Sequence, residues 1–96
     1  MTNQAQLHFQ LTDTESTLTK YGFSFWANKL GAIKNTITQR DESEILTDIS
    51  KLYGGFGTLM DLAVDPYLLP SGVTEDEANK DLFRSINDLY ELVKPK

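Results

Sequence analysis

The chain has 96 residues and no cysteine, with 40% hydrophobic residues, 10% aromatic residues and a net charge of −5. This length suits one domain with a modest core, and the lack of cysteine excludes disulfides, thiolate metal ligands and cysteine nucleophiles. No run approaches the roughly 18 apolar residues of a membrane span and no secretory signal is visible, so we expect a cytoplasmic protein.

Two periodicities overlap at the start of the chain. Apolar residues alternate from Ala5 to Leu11, as they do in a strand. The helical alternative is a stripe formed by Leu7, Leu11, Leu18 and Tyr21. No second strand-like run exists to pair with the first, so we favour a helix.

A possible helix start follows at residues 12–15, which read Thr-Asp-Thr-Glu and have the pattern of a capping box. This pattern predicts a helix over residues 13–21. Residues 1–11 are then either helical as well or an extended or mobile arm that leads into the helix.

The second predicted helix contains four apolar residues at helical spacing. The stripe consists of Trp26, Leu30, Ile33 and Ile37. Ser24 is the expected N-cap, and the helix should end near Gln39. Gly31 lowers the helix propensity, but so small a residue would let another helix approach closely.

The third predicted helix has its own apolar stripe, formed by Ile45, Leu46, Ile49, Leu52 and Tyr53. Asp41 or Ser43 is the expected cap, and Gly54-Gly55 should stop the helix. A short helix over residues 58–64 would follow this glycine-rich corner, with turns up to Gly72.

The fourth helix has the clearest pattern. Residues 74–77 read Thr-Glu-Asp-Glu, a capping box with three acids at the positive end of the helix dipole. The stripe that follows consists of Ala78, Leu82, Ile86, Leu89 and Val93, widened by Phe83 and Tyr90. Lys94-Pro95 should close the helix. The chain is therefore predicted to be a single all-α domain over residues 1–96, a small bundle of four main helices plus the short one.

The sequence lacks the residues that most catalytic and metal-binding sites require. His8 is the only histidine, so neither a triad nor a zinc site can be assembled, and we expect no metal and no cofactor. The glycines at residues 54–57 are followed by no lysine, so we interpret them as a tight corner and not a phosphate loop. Replacing Gly55 with valine should then lower the melting temperature.

Carboxylates four residues apart offer an alternative, an enzyme that uses Asp61 or its neighbours. Asp61 and Asp65 have this spacing, as do Glu77 and Asp81. No pattern in the sequence indicates a pocket that would separate their pKa values, so we expect a binding module and not an enzyme.

The charge is unevenly distributed. Residues 41–91 contain twelve acidic and three basic side chains, a net charge of −9, whereas residues 1–40 carry +2. The acidic part repels phosphate backbones, so nucleic acid is not an expected partner, whereas a basic protein is. The candidate partner-binding residues are Asp41, Glu42, Glu44, Asp48, Asp61, Asp65, Tyr67, Glu75 and Asp76.

Residues 52–62, which read Leu-Tyr-Gly-Gly-Phe-Gly-Thr-Leu-Met-Asp-Leu, resemble the Tyr-Gly-Gly-x-Gly-Ser/Thr-x-x-Asp-Leu signature of a family of small bacterial proteins. Trp26-Ala27 and Leu89-Tyr90-Glu91-Leu92 also look similar. Some members of that family resemble immunity proteins of contact-dependent toxin systems. The resemblance implies an immunity protein that neutralises a basic toxin domain, such as a nuclease. The alternative is an adaptor or regulatory subunit that has no link to toxins.

Overall fold

The computed structural model describes residues 4–53, 62–65, 67, 69 and 71–93. In these residues four α-helices form a small bundle, which confirms the all-α prediction. They are α1 (Gln4–Lys20), α2 (Ser24–Lys34), α3 (Glu42–Ser50) and α4 (Glu75–Val93), and a 3-10 turn at Lys51–Tyr53 extends α3.

Helix α1 is continuous from Gln4, so an extended arm is wrong for residues 4–11. Leu7 and Leu11 are buried in the core, whereas Phe9 is 73% exposed. A strand would place Leu7, Phe9 and Leu11 on the same face, whereas the helix buries the two leucines and turns Phe9 to the solvent, so the helical stripe describes this segment. The predicted helix start is also wrong, since Thr12 lies inside α1 and its hydroxyl donates to the carbonyl of His8.

A glycine that the sequence analysis overlooked ends α1. Gly22 has a φ of 88°, and the N–H of Phe23 donates to the carbonyl of Leu18 at 2.8 Å. The N–H of Gly22 donates to the carbonyl of Thr19. This pair of hydrogen bonds is a Schellman motif, in which glycine takes the left-handed conformation at little cost.

Helix α2 is shorter than predicted and starts one residue earlier. Phe23 occupies the N-cap position without a side-chain hydrogen bond, so the expected cap at Ser24 is wrong. The helix ends at Lys34 and not near Gln39, and turns follow. These turns still bring Ile37 into the core, where it is 6% exposed.

At Gly31 a side chain of another helix comes close, and not the helix backbone that the sequence led us to expect. A Cβ atom at this position would collide with the carboxylate of Glu15 on α1. That carboxylate is 2.7 Å from the ammonium of Lys34, one turn further along α2. The missing side chain of Gly31 therefore provides the space in which an α1–α2 ion pair forms.

Helix α3 begins after Asp41, one of the two predicted caps, although the Asp41 side chain makes no capping hydrogen bond. Ile45 and Ile49 are fully buried. The 3-10 turn places the Tyr53 hydroxyl 2.9 Å from the Ile86 carbonyl, to which it donates. Burial raises the pKa of the Tyr53 phenol.

The glycine-rich corner at residues 54–57 lies outside the described residues. The predicted helix stop at Gly54-Gly55, the proposed effect of Gly55→Val and most of the short helix therefore stay predictions. Residues 62–65, where that helix would end, belong to no helix.

Helix α4 confirms the capping prediction, because the Thr74 hydroxyl accepts a hydrogen bond from the N–H of Glu77 at 3.2 Å. All five residues of the predicted stripe are buried, together with Ser85. Phe83 is 57% exposed, so its place in the stripe is wrong, whereas Tyr90 is half-buried against the ring of Tyr53. Lys94-Pro95 lies outside the described residues.

Helices α1 and α4 run antiparallel. The Thr14 hydroxyl donates to the Ser85 carbonyl at 3.1 Å, and the Tyr21 hydroxyl donates to the Asp81 carboxylate at 2.8 Å. The end of α1 thus lies beside the first turns of α4. Ser85 also donates to the Asp13 carboxylate at 2.9 Å, so a satisfied polar layer crosses the core between the two helices.

Candidate functional site

The structure separates the nine predicted partner-binding residues. Asp61 lies outside the described residues. Four acids form the α3-start group: Asp41, Glu42 and Glu44 lie at the beginning of α3, and Asp48 lies further along the same helix, where Arg40 reaches it. Four residues near the beginning of α4 form the α4-start group, Asp65, Tyr67, Glu75 and Asp76.

The two groups lie at opposite ends of the bundle. Gln4 and Leu7, at the beginning of α1, share a cleft with Glu42. Tyr21, just beyond the other end of α1, contacts Asp81. Helix α1 has 17 residues, which corresponds to about 25 Å at the rise of an α-helix. The acidic segment of the sequence is therefore divided between two surfaces.

Arg40 organises the α3-start group. Its Nη2 atom is 2.6 Å from Asp48 Oδ2, and its Nε atom is 3.6 Å from Glu44 Oε2. The hydrogen bond that Arg40 donates to Asp48 is the main cause of the raised pKa of Arg40, and the charge of Glu44 acts in the same direction. Among the described residues, Asp41 and Glu42 have no ion-pair partner.

A cleft of about 210 Å³ opens beside this group. Its lining residues are Gln4, Leu7, Ile37, Arg40, Glu42 and Ile45. The three apolar ones are buried core residues, while Arg40 is partly exposed and Glu42 is exposed. Gln4 donates from its side-chain nitrogen to the Ile37 carbonyl at 2.8 Å, which ties the beginning of α1 to the α2–α3 connection.

This site also contains Arg40, Gln4 and the apolar lining residues, which were not predicted from the sequence. No local pattern could have revealed them, because they come from three separate segments. The only available signal was the position of Arg40 among acids that follow it at helical spacing.

The α4-start group contains an exposed aromatic ring. Tyr67 is 94% exposed, and its backbone N–H donates to Asp65 Oδ1 at 2.9 Å. The N–H of Val64 donates to the Asn79 side chain at 2.8 Å, which holds this segment against α4. Asp76 pairs with Lys80, whereas the carboxylate of Glu75 has no ion-pair partner in the described part of the chain.

Asp81, half of one predicted carboxylate pair, is engaged by cations and a phenol. Arg84 Nη2 is 2.9 Å from Asp81 Oδ1, and the ammonium of Lys20 is 3.7 Å from Oδ2. The hydrogen bond from Arg84, followed by that from Tyr21, lowers the pKa of Asp81. A carboxyl group with a lowered pKa stays ionised, which suits a structural ion pair better than proton transfer.

No group of three or more His, Asp or Glu side chains that could hold a metal ion occurs in residues 4–53 and the described positions from 62 to 93. His8 is exposed. None of the helices in this part of the chain is both long and apolar enough to cross a bilayer.

Comparisons with known proteins give no relative. No family model matches the chain, and no curated protein or solved structure is significantly similar to it. The resemblance to immunity-like bacterial proteins therefore stays a prediction.

Proposed function

We propose that this chain is a protein-binding module that captures a basic protein through the α3-start group. The observation that carries the proposal is the α3-start group, in which four carboxylates lie around the guanidinium of Arg40, next to a cleft that Glu42, Arg40 and Gln4 line above buried core residues. A concave surface beside charged groups is a common form of recognition site.

The charge around the cleft favours a cationic partner. The α3-start group contributes four carboxylates and Arg40 contributes one guanidinium, which together give a net charge of −3. Arg40 is already paired with Asp48 and Glu44, and no other cation in the described part of the chain pairs with Asp41 or Glu42. Uncompensated charge of one sign accelerates encounter with an oppositely charged surface and selects against partners of like charge.

Within this proposal, the specific function is that of an immunity protein that neutralises a basic toxin domain. Support comes from the small size, the acidic net charge and the family resemblance of residues 52–62. Many toxic nucleases need a basic substrate cleft, which an acidic inhibitor would occupy. An adaptor for a basic protein unrelated to toxins would use the same surface and is the second candidate.

Two charge-matched double variants test the surface. Asp41→Asn/Glu42→Gln removes two acids of the α3-start group that form no ion pair with any described residue. Glu75→Gln/Glu77→Gln does the same at the beginning of α4, at the other end of the bundle. Each variant is the control for the other, because both change the net charge by +2 and leave the core and the known ion pairs intact.

The tagged wild type and both variants would be incubated with lysate of the native host at low and high salt, and bound proteins identified by mass spectrometry. We expect a basic protein bound at low salt, released at high salt and weakened only by the α3-start variant. Equal binding by all three proteins, or loss only in the α4-start variant, would contradict the proposed surface.

A growth assay distinguishes an immunity protein from an adaptor. The captured protein would be expressed in a bacterial host with and without this chain. An immunity protein restores growth that its partner arrests, and the Asp41→Asn/Glu42→Gln variant restores it less well. A captured protein that does not affect growth would support the adaptor instead.

A further inference from the structure

We propose that the outward face of α2 is a second protein-binding surface, which docks into an apolar groove of a partner protein that carries a carboxylate at its edge. The residues that form this surface, here called the α2 patch, are Phe25, Trp26, Lys29 and Ile33. The inference goes beyond the proposed function, because the α2 patch differs in place and in chemistry from the α3-start group.

Helix α2 is apolar around most of its circumference. Its two buried residues belong to the core, and the helix packs against α1 and α3. On the outward side, however, Phe25 is 65% exposed, and Trp26 and Ile33 are only half-buried. A helix that is apolar all round is normally covered on all sides, so binding of another molecule would complete the burial of α2.

The aromatic side chains of the α2 patch form a defined arrangement. The rings of Phe25 and Trp26 meet edge to face, with their centroids 5.5 Å apart. The ammonium of Lys29 lies 4.9 Å from the centroid of the Phe25 ring and 5.9 Å from that of Trp26. Large aromatic side chains supply much of the binding energy at protein interfaces, and an arrangement that exists before binding lowers the entropic cost.

The charge of the α2 patch selects an acidic partner. Between Glu15 and Asp41 the sequence contains four cations and no acid. Three of these cations form ion pairs within the chain, Lys20 with Asp81, Lys34 with Glu15 and Arg40 with Asp48. Lys29 forms none with any described residue, so a carboxylate of the partner can pair with it next to the two rings.

A second copy of the chain fits the α2 patch less well. Two copies that met through this patch would bring their Lys29 side chains together, and α2 contains no acid to compensate them. The patch is also small, because an aromatic side chain buries about 150–250 Å² at most and Trp26 is already half-buried. A flat contact of this size stays well below the roughly 800 Å² per partner of a stable interface, whereas a groove also encloses the flanks of the helix.

An anionic membrane also fits less well than a protein. A bilayer of anionic lipids gains little from the single lysine of the patch. The chain has a net charge of −5, and the α3-start and α4-start groups place acids at both ends of the bundle, so such a bilayer repels the rest of the surface. A protein groove meets both requirements of the patch, a cover for the rings and an anion for Lys29.

Photocrosslinking in the native host tests the surface. Benzoylphenylalanine, a photoreactive residue, would replace Phe25 in the full chain, or Phe9 as the matched control, because both rings are mostly exposed. We expect a discrete adduct with another protein from position 25 and none from position 9. Lys29→Glu should lower the yield of this adduct about fivefold or more, whereas Lys29→Arg should retain it.

The purified partner allows the contact itself to be measured. Trp26 is the only tryptophan of the chain, so labelling with fluorotryptophan gives a fluorine NMR signal that reports on the patch. We expect this signal to shift when the partner binds. Phe25→Ser should weaken the affinity about tenfold or more, and Phe9→Ser should leave it unchanged.

A charge exchange identifies the carboxylate. Replacing the acids near the crosslinked site of the partner with lysine, one at a time, should yield a partner variant that binds the Lys29→Glu chain better than the wild-type chain. Circular dichroism would verify that all variants of the chain stay folded.

Four results would overturn the inference. These are no adduct specific to position 25, an adduct between two copies of the chain, Phe25-dependent sedimentation with phosphatidylglycerol vesicles in place of protein capture, and a charge exchange that restores no binding.

The proposed function fails separately. The α2 patch follows the end of α1, whereas the cleft lies beside its beginning, so Asp41→Asn/Glu42→Gln should keep the adduct at position 25. If this adduct forms but no basic protein is captured, the proposed function is wrong and the second surface stands. If a basic protein is captured through the α3-start group without an adduct at position 25, the function stands and this inference is wrong.

Discussion

The first turns of α1 offer a sharp test of the fold, because two large apolar residues, two positions apart, lie on opposite faces. Leu11 is fully buried, whereas Phe9 is 73% exposed. We expect Leu11→Ala to destabilise the protein strongly and Phe9→Ala to have almost no effect, although the second substitution removes the larger side chain.

The magnitude follows from what each substitution removes. Leu11→Ala deletes three carbon atoms from the core, a transfer loss of about 2.5 kcal/mol, and the cavity left behind raises the cost to about 3–4 kcal/mol. For a domain of this size, that lowers the melting temperature by roughly 10–25 °C. Phe9→Ala should change the free energy of unfolding by less than about 0.5 kcal/mol, since the ring is largely in solvent and alanine has the higher helix propensity.

Urea denaturation followed by circular dichroism measures both free energies. The reasoning is refuted if Leu11→Ala costs less than about 1 kcal/mol, or if Phe9→Ala costs as much as Leu11→Ala. Either result would mean that residues 4–11 do not pack as the first turns of α1. The alternative prediction, an extended arm at the start of the chain, would then be the better description.

Three further predictions concern single contacts. Gly31→Ala should change the free energy of unfolding by less than about 0.5 kcal/mol, because the gain in helix propensity offsets displacement of Glu15; in a Glu15→Ala background, denaturation should show a gain of about 0.5–1 kcal/mol. Tyr53→Phe should cost about 1 kcal/mol at neutral pH for the lost hydrogen bond. The raised pKa of Tyr53 makes the stability of the wild type fall when the pH rises above about 10, the pKa of tyrosine in the unfolded chain. The Tyr53→Phe variant should lose less stability in this alkaline range, which urea denaturation at several pH values would measure. Asp81→Asn should lower the free energy of unfolding by about 1 kcal/mol at pH 7 and by little at acidic pH. The lowered pKa of Asp81 stabilises the folded protein above the unfolded-state pKa of about 3.9, and this stability is lost as the pH falls through the folded-state pKa. Identical pH profiles for variant and wild type would contradict either of the last two expectations.

The sequence by itself determined α4 and much of α3. Thr74 caps α4 through the hydrogen bond that its spacing to Glu77 predicts, and the stripe from Ala78 to Val93 is buried as a unit. These features depend on residues within a few positions of one another, so local hydrogen bonding and a single helical period are enough to define them.

Where two local patterns competed, packing selected one. The strand-like alternation of residues 5–11 and the helical stripe through Leu7 and Leu11 were both present in the sequence. The helix buries Leu7 and Leu11 in the core and leaves Phe9 exposed, whereas a strand would have placed all three on one face. Phe83 shows the reverse error, an apolar residue assigned to the stripe that its helix leaves exposed.

The site was decided by the tertiary structure alone. Acidic composition predicted one face between residues 41 and 91, but the antiparallel packing of α1 on α4 places the beginnings of α3 and α4 at opposite ends. The cleft brings Gln4 together with Ile37 and Arg40, which follow it by more than thirty residues in the sequence. The net charge of a segment can be summed from its sequence. How the charged side chains are distributed over the surface, and where that surface is concave, depends on which helices pack together.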